Sequence, residues 1–227
     1  MPSAHDDVQT PRWKWTRSAT VALVVINIVA FIFQFTLLPR LADPRYFALS
    51  WPGLRAGYVW QLVTYMFMHG SIFHLGANLW ALFVFGRGVE WAIGKTKFLI
   101  LYFSSGIIGG LVQALASMLW PAYIGGATLG ASAGVFGVVA AFAMFFPEQP
   151  LVMLLFFVIP VKMRAKSLLW FLLVISAYGI SFYNSPIVTK LLGKNVAHFA
   201  HLGGILTGIA FARIYFRWRE PPSLPAE

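Results

Sequence analysis

A chain of 227 residues that is 59% hydrophobic and 11% charged, with a mean hydropathy of +0.74, lies well outside the range of soluble domains. Its formal charge of +10 comes with no clustered basic stripe or aromatic nucleic-acid motif, so no nucleic-acid partner is implied. The absence of cysteine removes disulfides, thiolate metal ligands and cysteine catalysis together.

Residues 1–17 hold two acids and several bases with no apolar h-region, and read as a cytoplasmic tail before an uncleaved anchor. A helix needs about 20 mainly apolar residues to cross a bilayer core. Six segments qualify or nearly so: 19–38, 68–86, 98–119, 130–147, 167–184 and 196–213. No run of alternating ten-residue segments suggests a barrel, so the fold class is all-α, a polytopic six-helix bundle over residues 18–217. The fourth and fifth segments are short, as expected of helices that begin below the membrane surface or pack within a bundle. Between the first two lies a long outer connection, Pro39 to Trp60, whose WPGLRAG core reads as a structured interfacial loop. GRGVEWAIGKTK and FPEQP read as compact inner connections. LVMLLFFVIP, residues 151–160, is too short to span and is placed at the interface. Residues 218–227 form a second cytoplasmic tail, polar, proline-rich and expected to be disordered. With the amino terminus inside, twelve Lys and Arg fall inside and five outside, which favours both termini being cytoplasmic.

On that topology the second, fourth and sixth helices all run from outside to inside. His69, His74 and Asn78 belong to the second, Ser132 to the fourth, His198 and His201 to the sixth. At 1.5 Å rise per residue, His74, Ser132 and His201 each lie within about 10 Å of the outer end of their helix. Ionisable groups inside a membrane are costly and mark functional sites.

Each also has a plainer reading. Gly130 and Gly134 bracket Ser132 in a small-xxx-small pattern that lets helices approach. The same letters spell the GxSxG of soluble hydrolases, but that elbow needs a preceding strand, and here the glycine-rich YIGGATLG precedes. What this context offers is a helix amino terminus, whose unpaired N–H groups could hold an oxyanion. His201 shares a face with Ala197, Gly204 and Gly208, so it meets a neighbouring helix at backbone distance; His198 lacks glycines at the matching offsets and is the weaker base candidate. His74 and Asn78, four apart, share a face as donors or as packing glue, and His69 reads as structural. Beyond Asp43 the carboxylates are Glu90, Glu148, Glu220 and Glu227, all placed at or beyond the inner face, so a Ser132/His201 pair would act as a dyad without a third member.

The motifs WQLVTYMFMHGSIFHLGAN, GRGVEWAIG, GASAGVFG, FPEQP and AHFAHLGGILTG, in this order from Trp60 to Phe211, resemble the rhomboid intramembrane serine proteases. The resemblance implies a six-helix fold in which Ser132 is the nucleophile and His201 the base. It further implies that His74 and Asn78 supply the oxyanion hole with the backbone N–H groups of Ser132 and Ala131. By the same resemblance Phe136 packs on the histidine, and Gly204 and Gly208 form the seam between helices four and six. Two positions depart from the family pattern: Ala133 follows the serine where glycine is usual, and Trp60-Gln61 stands for Trp-Arg.

The expected activity is acyl transfer on transmembrane segments of single-pass proteins, near small or helix-breaking residues, without metal or cofactor. A catalytically silent, client-binding relative of the same fold is the first rival. A histidine proton relay is the second, disfavoured because the inner halves of helices four and six are apolar. By analogy the chain is expected in a bacterial inner membrane.

Overall fold

The computed structural model describes residues 18–124, 126–155, 159–182, 185 and 196–218. Both expected tails up to residue 17 and from 219, Gly125 of the glycine-rich loop, and Lys190 and Lys194 fall outside the described residues.

All six expected helices form: α1 (Ala19–Thr36), α2 (Ile72–Ile93), α3 (Lys95–Leu119), α4 (Ser132–Phe145), α5 (Ala165–Ser181) and α6 (His198–Phe216). α1, α2, α3 and α6 are long and apolar enough to cross a membrane, while α4 and α5 are shorter. α4 is the central helix. All its residues except Ser132, Phe136 and Met144 are buried, so it has no lipid-facing stripe. Fourteen residues make a helix of about 21 Å, against a hydrocarbon core of about 30 Å. One end must therefore stop inside the bilayer's depth.

The second helix differs from its expected span at both ends. It begins at Ser71, whose hydroxyl accepts from the His74 N–H at 3.1 Å, so His69 lies ahead of the helix and not on it. It continues through all of GRGVEWAI, which is helix and not loop, and the turn to α3 is Gly94 alone, at φ +80°. Glycine adopts that left-handed conformation without the Cβ clash other residues suffer.

One charge inside this extension is buried, and a partner helix satisfies it. The Glu90 carboxylate accepts from Ser18 Oγ, the Ala19 N–H, the Thr20 N–H and Thr20 Oγ1 at 2.6–2.9 Å. It thereby caps the positive amino terminus of α1 and ties it to the inner end of α2. Arg87 lies over the Phe83 ring, 5.3 Å from its centroid.

The described part of the segment expected at the interface, residues 151–155 and 159–160, is extended. Pro150–Leu155 (β1) pairs antiparallel with Ile159–Arg164 (β2), in register from Pro150↔Arg164 to Leu155↔Ile159. At the base of this hairpin Glu148 pairs with Lys166 and Arg164, and the exposed carboxyl is held below its ordinary range, chiefly by the Lys166 hydrogen bond.

The outer connection is structured by Gln61. Its buried amide accepts from the Ser50 N–H at 3.1 Å and donates to the carbonyls of Arg45 and Tyr46 at 3.2 and 3.3 Å. Trp60 Nε1 donates to the same Tyr46 carbonyl. The glutamine thus gathers three strands of loop with a neutral group, which answers the loss of the expected arginine. Leu49 and Thr128 exchange two backbone hydrogen bonds, and the Gly130 N–H donates to Tyr65 O, so this loop also holds the segment leading into α4.

Candidate active site

The outer end of α4 starts from backbone geometry. Gly130 sits at φ +128°, and a Cβ there would stand 2.7 Å from His74 Cε1 and 2.8 Å from its Nε2. Only glycine permits both the conformation and the approach of that imidazole. In the sequence reading Gly130 belonged to a helix-packing pair; in the structure it is a loop residue that makes room for His74. Ser132 then opens the helix, ahead of its first intrahelical bond, Val135 N–H to Ala131 O at 3.0 Å.

α6 lies against α4 at backbone distance. A Cβ on Gly204 would collide with the Ala133 carbonyl, and one on Gly208 with the Gly137 carbonyl. This contact brings His201, near the start of α6, to Ser132: Nε2 and Oγ are 2.8 Å apart. Phe136, one turn beyond the serine, stacks on the His201 ring with centroids 4.3 Å apart and planes 10° apart. The imidazole is fixed by a flat apolar surface on one side and the hydroxyl at its edge. His198 does not compete. Its ring stands edge-on 6.1 Å from that of His201 and packs where a Gly179 Cβ would be.

A cavity of about 580 Å³ opens over the pair, lined by Ser132 and His201 together with His74, Asn78 and Phe136. Asn78 donates one amide N–H to the His74 carbonyl at 2.8 Å; with two hydrogens on that nitrogen, a second donor is left. Ala131 departs from expectation. It is fully buried, lies outside the lining, and directs its N–H at His69 Nε2, 3.5 Å away. The backbone donor suited to the cavity is therefore that of Ser132. The His69 backbone exchanges hydrogen bonds with the Gln34 amide of α1 at 2.9 and 3.0 Å.

Ala133 points away from the histidine and toward α3, where a Cβ on Gly109 would approach the Ala133 Cβ to 2.9 Å. The methyl that departs from the usual motif is accommodated by a glycine on a third helix. Sequence reasoning also missed Ala77 and Ala81, which line the cavity. They lie three and seven residues beyond His74, on its face of α2, and that spacing could have flagged them.

The rhomboid domain family model matches residues 56–218. "Rhomboid-like protease 3" of Toxoplasma gondii is 27% identical over 213 residues, covering 92% of this chain and 73% of that relative. "Rhomboid protein 1, mitochondrial" of Saccharomyces cerevisiae is 29% identical over 198 residues, 86% of this chain and 52% of the relative. The human "Presenilin-associated rhomboid-like protein, mitochondrial" is 29% identical over 160 residues, 68% of this chain and 38% of the relative. The chain thus spans about half of the yeast relative's length and less of the human one's. All three relatives are eukaryotic, and they lend no support to the expected bacterial inner membrane. The matched domain, with six apolar helices around the Ser132–His201 contact, shows that this chain is an integral membrane protein of the rhomboid family.

Proposed function

We propose that the chain is an intramembrane serine endopeptidase that cleaves transmembrane segments of single-pass proteins through Ser132 and His201. The observation that carries this reading is the 2.8 Å approach of His201 Nε2 to Ser132 Oγ at the floor of an open cavity. Family membership supports it.

In the proposed reaction His201 Nε2 takes the Ser132 proton as Oγ bonds to the carbonyl carbon of the scissile peptide. The charge that forms on the carbonyl oxygen faces the Ser132 N–H at the helix amino terminus, with Asn78 Nδ2 and His74 from the opposite wall. Collapse breaks the C–N bond, and the leaving amine takes the proton from His201. Water, activated by the same imidazole, then releases the acyl group from Ser132. A hydrolytic step needs a wet site, and we assign the amino terminus of the short α4 to the end that stops below the membrane surface. A helical substrate must unwind first, because its carbonyls are already hydrogen-bonded, so small or helix-breaking residues at the cut are part of the proposal. We assign both termini to the cytoplasmic side and the cavity to the opposite side, on the Lys and Arg asymmetry.

The test is labelling of the detergent-solubilised protein by a fluorophosphonate, followed by cleavage of a single-pass reporter. Labelling of the wild type that is lost in Ser132→Ala and His201→Ala supports the dyad. Equal labelling in Ser132→Ala, or reporter cleavage that survives either substitution, rejects it in favour of a client-binding protein of the same fold.

A further inference from the structure

We propose that Gln113, on a helix that carries neither member of the dyad, is a positioning residue for His201. The inference rests on the Ser132/His201 reading above. It starts from a deficiency at the amino terminus of α6. Ala197 holds the N-cap position there and has no side-chain acceptor to offer, so the first-turn N–H groups lack the usual partner. One of them, that of Ala200, is satisfied from another helix: it donates to Gln113 Oε1 at 3.2 Å, and Gln113 is buried. Ala200 is the residue directly before His201.

A second observation puts the glutamine within reach. Gly109, one turn earlier on the same face of α3, lets the two backbones touch. A Cβ there would stand 2.5 Å from Ala200 O, and a Cβ on Gly203 would stand 2.9 Å from Gly109 Cα. α3 therefore grips the first turn of α6 by contact at Gly109 and by a hydrogen bond at Gln113. With both in place the turn that presents His201 cannot fray or rotate without leaving an amide unpaired in a low-dielectric surrounding. Gln113 touches neither the serine nor the histidine; it acts through the helix.

The experiment measures the second-order rate of fluorophosphonate labelling at Ser132 in Gln113→Met, which keeps the volume and removes the acceptor. It also measures Gln113→Met combined with Ala197→Ser, which supplies the missing cap from within α6. Folding is followed by thermal melting in the same detergent. The single substitution should label about five- to tenfold more slowly, as expected for loss of one helix cap, and the double substitution should recover most of that rate. If Gln113→Met does not fold, Gln113→Asn replaces it, since it keeps the polarity and shortens the reach by about 1.5 Å. Labelling at the wild-type rate in the single variant, or a slow rate that Ala197→Ser fails to raise, overturns the proposal. Absence of labelling in the wild type would instead strike the dyad reading, so the two failures are distinguishable.

Discussion

The two ends of this bundle are held by different physics. At the outer end the helices meet through glycine against backbone and through neutral hydrogen bonds: Gly204 on Ala133, Gly130 under His74, Gln61 within the loop, and Ser132 to His201. At the inner end the ties are made by carboxylates, with Glu90 accepting from the hydroxyl and N–H groups that open α1 and Glu148 bridging Lys166 and Arg164. Full charges attract over a broad range of positions, and in exposed settings water screens them. Backbone contact falls away within a fraction of an ångström. A site that must keep two side chains at hydrogen-bond distance is built by the second means; an end that only has to stay closed can use the first.

The comparison can be broken from its strong side first. Gly204→Leu drives a side chain into the Ala133 carbonyl and should part α4 from α6. Reporter cleavage should fall at least 1,000-fold, in the range seen when catalytic positioning is lost, and cleavage within tenfold of wild type would refute the seam. Asn78→Ala removes one oxyanion donor and should lower kcat by about 100-fold with little change in KM. A rise in KM alone would make Asn78 a binding residue.

At the inner end, Glu90→Ala leaves four donors at the start of α1 without their acceptor. It should cost about 1–3 kcal/mol of stability in detergent for each buried donor left unpaired, while surviving folded protein labels at the wild-type rate. Gln61→Leu should loosen the outer loop and cost about 1–3 kcal/mol through unpaired loop amides. The smallest effect belongs to Glu148→Gln, whose partners are exposed. The lowered carboxyl pKa means that any contribution is present above the ordinary carboxylate range and is lost as the pH falls through the folded value. The melting temperature at neutral pH should therefore move little, and less still in high salt. A large drop there would erase the contrast between the ends.

Much of this was legible in the sequence, for identifiable reasons. Each of the six helices carries its own apolar run, and a membrane span is a local property of composition. The meeting of Ser132 with His201 was legible because polar side chains are rare in such helices and depth can be counted along each one. What escaped depended on partners far away in the chain. The inner extension of α2 read as loop because Arg87 and Glu90 look unsuited to a buried helix, and only the amino terminus of α1 makes Glu90 tolerable. The hairpin at 150–164 escaped because LVMLLFFVIP is continuously apolar, without the alternation that marks a strand, and Pro160 argued against pairing. Ala131 was assigned as an oxyanion donor from its place in the motif, whereas the direction of its N–H is fixed by His69, 62 residues away. The space that takes the Ala133 methyl is made by Gly109 on α3, 24 residues earlier in the chain.

The single residue between Ile93 and Lys95 has a consequence for how the molecule is made. With only Gly94 as joint, α2 and α3 can enter the bilayer together as one helical hairpin. α2 carries His74, Asn78 and Glu90 and is the less apolar of the two. Lengthening that joint with a flexible insert should therefore lower the fraction of α2 that inserts, because α2 would then partition by its own weaker preference for lipid.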